Sequence, residues 1–117
     1  MPIPKSLPSL MSSLSAIISY HTMYAILCFD RPDSAPLRDQ HRAAHQKFLN
    51  ENSKKILFGG PLKNAAEGPS TGALIVVDCA TRQEAETFIG ADPFYRGGVY
   101  ETVSIRAFKQ VFPQARS

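Results

Sequence analysis

The stretch GALIVVDCATRQEAETFI, residues 72–89, decides the fold class because it joins an apolar strand directly to a capped helix. Its first part, residues 72–79, is apolar almost throughout, which is typical of a central strand. Thr81 then stands where a helix N-cap is expected, and Glu84 follows three residues later, which completes a capping-box pattern. We therefore predict a central strand followed by a helix.

The residues before this unit predict two more strands and another helix. MYAILCFD, Met23–Asp30, is rich in strand-forming residues, and the turn cluster at residues 31–34 ends it. Ser34 can cap a helix over residues 36–51, which has proline among its first residues. Residues 56–58 predict a second strand, closed by a turn at Gly-Gly-Pro, residues 59–61.

The residues after this unit complete the pattern. A polar loop is predicted over residues 63–70, and residues 99–112 alternate between apolar and polar side chains, as in a long half-buried strand. The order β-α-β-β-α-β is that of the α+β, ferredoxin-like fold. Both helices then lie on one face of the sheet, so the other face is bare and is commonly covered by a second copy. We therefore expect a homodimer formed through the open sheet face.

The length of 117 residues indicates one domain, which we place at residues 23–112. Residues 1–22 contain prolines and serines but no acidic residue, and we expect a poorly ordered extension; residues 113–117 form a short tail. The absence of acidic residues is typical of organelle-targeting peptides. The indication is weak because such peptides are rich in arginine, which this segment lacks. A cytoplasmic location is the prediction.

Composition argues against several classes of function. The net charge of +3 is spread along the chain without a run of like charges, so we predict no nucleic-acid partner. No apolar run reaches the roughly 18–20 residues of a membrane span, so we predict no membrane partner. Cys28 and Cys79 lie in apolar runs without metal-site spacing, which favours reduced thiols. No phosphate-binding loop is present, and no cofactor is predicted.

Two groups of residues are candidates for chemistry. His41 and His45 lie four residues apart, on one face of the first predicted helix. The pair could bind a metal only with further ligands, which the sequence does not indicate, so we predict no metal site; packed or surface histidines are the simpler alternative. Asp92 precedes Pro93, which suits a helix N-cap, but its carboxylate could equally orient a base elsewhere in the chain.

Four short motifs occur in order: RAAH at 42–45, GGPL at 59–62, ADPF at 91–94 and GVYETVSIRAF at 98–108. With the opening strand, they resemble the YciI-like (YCII-related) family over about residues 23–112. The resemblance implies a dimeric α+β barrel built on the ferredoxin-like unit, in which each subunit has a cleft with a catalytic His–Asp pair.

Carried over residue by residue, the resemblance implies that His45 and Asp92 are the catalytic pair. It also implies a substrate-binding group composed of Arg42, Gly60, Pro61 and Phe94. Arg38 and His41 also read R-x-x-H, although the distance to the Gly-Gly-Pro motif suits His45 better. The sequence departs from the family at Ala43, where proline is usual, and at Phe94, where tyrosine is commoner and would add a hydroxyl.

Such a pair suits proton transfer. A carboxylate that accepts from one imidazole nitrogen leaves the other nitrogen free to act as a base. No serine or cysteine is marked as a nucleophile, so elimination or isomerisation of a small organic molecule, such as a hydroxylated or halogenated ring, is the predicted chemistry. The alternatives are a non-catalytic ligand-binding or accessory domain, and a purely structural module if the two side chains lie apart.

Overall fold

The computed structural model describes residues 22–113, so most of the predicted extension and tail lies outside the described residues. The strands are β1 (Met23–Asp30), β2 (Ile56–Lys63), β3 (Ser70–Asp78) and β4 (Tyr100–Phe108). The helices are α1 (Ala35–Glu51), α2 (Arg82–Gly90) and the short α3 (Pro93–Arg96).

The four strands form one antiparallel sheet in the order β2-β3-β1-β4. This order and the β-α-β-β-α-β succession confirm the predicted ferredoxin-like α+β fold. The apolar β3 is central, as its composition predicts, and it pairs with β1 on one side and β2 on the other. Ile26 of β1 lies between Ile75 and Ile105 on the two neighbouring strands and is fully buried in the core.

The predicted turn at residues 59–61 is wrong, because β2 continues through it to Lys63. Gly60 pairs with Leu74, and Pro61 pairs with Ala73, within the ladder to β3. In the sheet formed by the described residues, β2 is an edge strand, so one side of its backbone has no partner strand there, and proline is tolerated although it donates no hydrogen bond.

The last strand is shorter than predicted and ends at Phe108 rather than at residue 112. Phe108 pairs with Met23, the first residue of β1, so the residues beyond it have no strand to pair with. Alternating composition alone cannot show where the partner strand begins.

The two predicted helix caps differ in outcome. Thr81 caps α2 as expected, since its Oγ1 accepts a hydrogen bond from the Glu84 amide at 3.1 Å. Ser34 stands at the start of α1, but its side chain makes no cap hydrogen bond and donates instead to Asp30 Oδ2 at 3.3 Å. The backbone of Ser34 has φ −88° and ψ −2°, in the helical region rather than the extended region that a side-chain cap needs.

The two longer helices sit on the same face of the sheet in different ways. α2 buries Ala85, Phe88 and Ile89 in the core. In α1, all of which is described, no residue is fully buried. Among residues 22–113, no helix is long and apolar enough to cross a membrane.

Candidate active site

The candidate site lies where α1 meets the start of α3. His45 is on α1, and Asp92 is the N-cap residue of α3. His45 Nδ1 and Asp92 Oδ1 lie 2.7 Å apart. The Asp92 side chain is 0% exposed and that of His45 is 13% exposed, so the contact is shielded from water. The structure thus brings together two side chains that are 47 residues apart in sequence.

Asp92 has both roles that its sequence context allows. Its Oδ1 accepts from the Phe94 amide at 2.9 Å, which is the N-cap hydrogen bond that the following proline favours. Oδ1 also faces His45, and Oδ2 accepts from the Tyr100 hydroxyl at 3.4 Å. Capping and orientation of the imidazole are therefore functions of one buried carboxylate.

The Phe94 ring fixes the plane of the imidazole. The His45 and Phe94 rings stack with centroids 3.9 Å apart and planes 10° apart. Tyr100 meets Phe94 edge-on at 6.2 Å, and the Arg38 guanidinium carbon lies 4.9 Å from the Phe94 centroid. Stacking and the Asp92 contact together leave the His45 ring little freedom to rotate.

A cavity of about 420 Å³ opens beside His45, between α1 and the β2–β3 half of the sheet. Leu37, Phe48 and Leu49 of α1 pack against the core but are only partly buried, and the cavity lies between this helix and the strands. Its wall combines apolar side chains with a few polar groups. The lining residues used below are Arg38, Arg42, His45, Leu49, Ile56, Gly60, Pro61, Gly72, Ile75, Phe94 and Tyr100.

The substrate-binding residues implied by the resemblance all line this cavity, but they differ in how they do so. Gly60 and Pro61 lie on edge strand β2, and Phe94 lies beneath His45 and is almost fully buried. The Arg42 side chain is 51% exposed and forms an ion pair with Asp39 at 2.6 Å. Arg42 therefore lies at the solvent side of the cavity.

His41 faces a different neighbour from His45. A Cβ atom added at Gly97 would overlap the His41 ring, so this imidazole packs against the turn after α3. Within residues 22–113, no group of three or more His, Cys, Asp or Glu side chains is arranged to hold a metal ion.

Sequence reasoning missed an ion pair in the cavity wall. Arg38 Nε lies 2.6 Å from Asp30 Oδ2, and Nη2 lies 3.1 Å from Oδ1, a bidentate pair with side chains 11% and 6% exposed. Arg38 Nη2 also donates to the Gly72 carbonyl at 3.2 Å. The second R-x-x-H at residues 38–41 was the available signal, but nothing in the sequence placed Asp30 beside it.

Two further groups beneath the pair stay protonated. Burial first, and the Asp92 carboxylate second, raise the pKa of the Cys28 thiol to about 12. Burial, and then Asp92, also raises the pKa of Tyr100, so its hydroxyl remains a hydrogen-bond donor. A buried, protonated Cys28 is not suited to act as a nucleophile.

Comparison with known proteins identifies a matching domain family and similar proteins in other organisms. Residues 22–109 match the YCII-related domain. Protein YciI of Escherichia coli is 30% identical over 97 residues, which cover 77% of this chain and 99% of that protein. An uncharacterized protein of Haemophilus influenzae is also 30% identical, over 98 residues that cover 76% and 98% of the two chains.

A solved structure shares both fold and sequence. The 5-chloro-2-hydroxyhydroquinone dehydrochlorinase TftG of Burkholderia phenoliruptrix, in complex with 2,5-dihydroxybenzoquinone, is 28% identical with a TM-score of 0.69. The alignment covers 74% of this chain and 93% of that one. On these grounds the chain belongs to the YCII-related family.

Proposed function

We propose that this protein is an enzyme that transfers protons on a small organic molecule, with His45 and Asp92 as its acid–base pair. The observation that carries the proposal is the 2.7 Å contact between His45 Nδ1 and Asp92 Oδ1 in the wall of the cavity. A histidine held by a buried carboxylate and facing a ligand-sized space is a typical arrangement for general acid–base catalysis.

In the proposed mechanism, each ring nitrogen of His45 has its own role. The Asp92 carboxylate already accepts hydrogen bonds from the Phe94 amide and the Tyr100 hydroxyl, so in the proposed pair it also accepts a hydrogen bond from the N–H of His45 Nδ1. Nε2 is then free to take a proton from the ligand, and the carboxylate stabilises the positive charge that develops on the ring. Elimination and isomerisation both use such a step. Acyl transfer would need a nucleophile, and Cys28 is buried and protonated.

The ligand class follows from the cavity and from the similar solved structure. A volume of about 420 Å³ lies within the usual range for small-molecule sites, and the apolar side chains of Leu49, Ile56 and Ile75 suit a carbon ring. The similar enzyme is named for a chlorinated hydroxyhydroquinone and was solved with a dihydroxybenzoquinone. A hydroxylated or halogenated ring is therefore the proposed substrate, held by Arg42, Gly60, Pro61 and Phe94.

The sheet face opposite the helices supports the proposal of a homodimer. By the alternation along each strand, Phe29, Phe58 and Phe108 point away from the helices, and each is about half-exposed. Apolar rings this exposed gain from burial against another surface. Sedimentation at micromolar concentration should give twice the mass of one chain; the mass of a single chain would refute the dimer.

A screen with matched histidine variants tests the function. Hydroxylated and halogenated aromatic compounds and lactones are incubated with the protein, turnover is read by mass spectrometry, and binding is read by thermal shift. We expect His45→Ala to lower turnover by ~10²–10⁴-fold without unfolding the protein.

His41→Ala is the control, because His41 lies on the same helix but packs against Gly97. It should keep most of the activity. Full turnover in the His45 variant would refute the pair. Ligands that stabilise the wild type but emerge unchanged would instead support a binding or accessory domain.

A further inference from the structure

Arg38 is the most buried cationic side chain of the cavity wall. Asp30 holds one edge of its guanidinium in a bidentate pair, and the Phe94 ring lies 4.9 Å from the guanidinium carbon. These contacts fix the orientation of the group without using all of its hydrogen-bond donors.

The donors of Arg38 can be counted. Nε donates to Asp30, and Nη2 donates to Asp30 and to the Gly72 carbonyl. Nη1 makes no hydrogen bond to any of residues 22–113, although the side chain is only 11% exposed. An arginine so shielded from water gains from an acceptor at its free nitrogen, since an unpaired buried donor is costly.

Arg38 and His45 are arranged to act on one ligand. They lie seven residues apart on α1, two helical turns or about 10 Å along the axis, and so occupy the same face of the helix. Both side chains contact the Phe94 ring, His45 at 3.9 Å and Arg38 at 4.9 Å, and both line the cavity. A ligand ring beside His45 would therefore have a substituent within reach of Arg38.

We propose that Arg38 is a ligand-binding residue whose Nη1 donates a hydrogen bond to an acidic oxygen of the ring compound, a phenolate or an enolate. Asp30 is the positioning residue that holds the guanidinium in place. This deepens the proposed function and rests on it, because it takes the same cavity as the ligand site.

The structure favours Arg38 over Arg42 for this role and an acidic ring oxygen over a phosphate. Arg42 is half-exposed and paired with Asp39 in water, where ionic contacts are weak. Arg38 is pre-oriented and shielded, so its hydrogen bond to an anionic oxygen is stronger. Asp30 balances its charge and one nitrogen remains free, which suits a single ring oxygen rather than the three terminal oxygens of a phosphate.

Calorimetric binding of two quinones tests the inference. The probes are 2,5-dihydroxybenzoquinone, whose hydroxyls are acidic, and 2,5-dimethoxybenzoquinone, which has the same ring oxygens without acidic protons. The wild type should bind the dihydroxy compound at least about tenfold more tightly, the value of a charge-assisted hydrogen bond. Arg38→Met should lose most of this preference.

Arg38→Met leaves the Asp30 carboxylate buried without its partner and could unfold the chain. Arg38→Met combined with Asp30→Asn removes both charges together and is the second variant. Arg96→Met, at an exposed position outside the cavity, is the matched control and should keep the full preference. Thermal melting of each variant checks that it is folded.

A preference that persists in the folded double variant would overturn the inference, as would a wild type that binds both compounds equally or neither. The result is independent of turnover. If the preference depends on Arg38 but no compound is converted, the inference stands and the proposed enzyme falls. If turnover depends on His45 but the folded Arg38 variants keep the preference for the dihydroxy compound, only the inference is refuted.

Discussion

Each half of the sheet is covered by one of the two longer helices, and these helices differ in how deeply their side chains are buried. Over the β1–β4 half, α2 buries Ala85, Phe88 and Ile89 in the core. Over the β2–β3 half, α1 is nearly twice as long yet has no fully buried residue, and the cavity lies beneath it. The helix over one half is buried in the core, whereas the helix over the other half is partly buried above a cavity.

Under the proposed function, this difference separates the part of the domain that supplies stability from the part that binds the ligand. The packed half supplies apolar burial, which is the main stabilising contribution in a folded protein. The open half is held in place by polar and aromatic contacts, among them the Arg38–Asp30 pair and the His45–Phe94 stack. Asp92 joins the halves, because it caps α3 and contacts α1 through His45.

The largest expected effect comes from truncating the packed helix. Phe88→Ala should lower the free energy of unfolding by about 3–5 kcal/mol, since it removes an almost fully buried ring. Leu49→Ala, in the cavity wall, should cost only about 1 kcal/mol because its side chain is partly exposed already. Urea denaturation measures both; equal losses would contradict the comparison.

A smaller effect is expected from adding one methyl group to the sheet. In Gly72→Ala the new Cβ would overlap the backbone oxygen of Cys28, so β1 and β3 must move apart, which we expect to cost about 1–3 kcal/mol. In Gly60→Ala, on edge strand β2, no heavy atom lies within 4 Å of the new Cβ. That variant should stay within about 0.5 kcal/mol of wild type in the same measurement, and a large loss there would be unexpected.

The last expected effect concerns alkaline pH. Because the pKa of Cys28 is raised from 9.0 to about 12, the folded state keeps a proton that the unfolded state loses. Its stabilising contribution is complete below pH 9.0 and is lost as pH rises through about 12, with a slope of at most about 1.4 kcal/mol per pH unit.

Cys28→Val should flatten this slope, and Cys79→Ser, at a partly exposed thiol, should change it less. Urea midpoints converted to unfolding free energies between about pH 8 and pH 11 measure it. Identical slopes in all three proteins would show that Cys28 does not contribute.

Much of the fold was predictable because the local sequence patterns favour the same elements that the tertiary structure contains. Met23–Asp30 was predicted to the residue, and the Thr81 cap and the apolar central strand were correct. The predicted Gly-Gly-Pro turn was wrong because local composition does not show that β2 is an edge strand that tolerates proline. The predicted length of the last strand was wrong because that length depends on where its partner strand begins.

The site was predictable only in part for a related reason. Motif resemblance indicated His45 and Asp92, while helix spacing alone could not choose between His41 and His45. The Arg38–Asp30 pair and the height of α1 above the sheet depend on contacts between elements. Such contacts leave no periodic signal in one sequence.

The pairing of His45 with Asp92 is tested most directly by long-range proton–nitrogen NMR correlations of the His45 ring, with and without 2,5-dihydroxybenzoquinone. We predict that the neutral ring carries its proton on Nδ1, facing Asp92, and that the Nε2 resonance shifts when the compound binds while the His41 ring is unaffected. A neutral ring protonated on Nε2, or a His45 ring indifferent to a compound that binds, would contradict it.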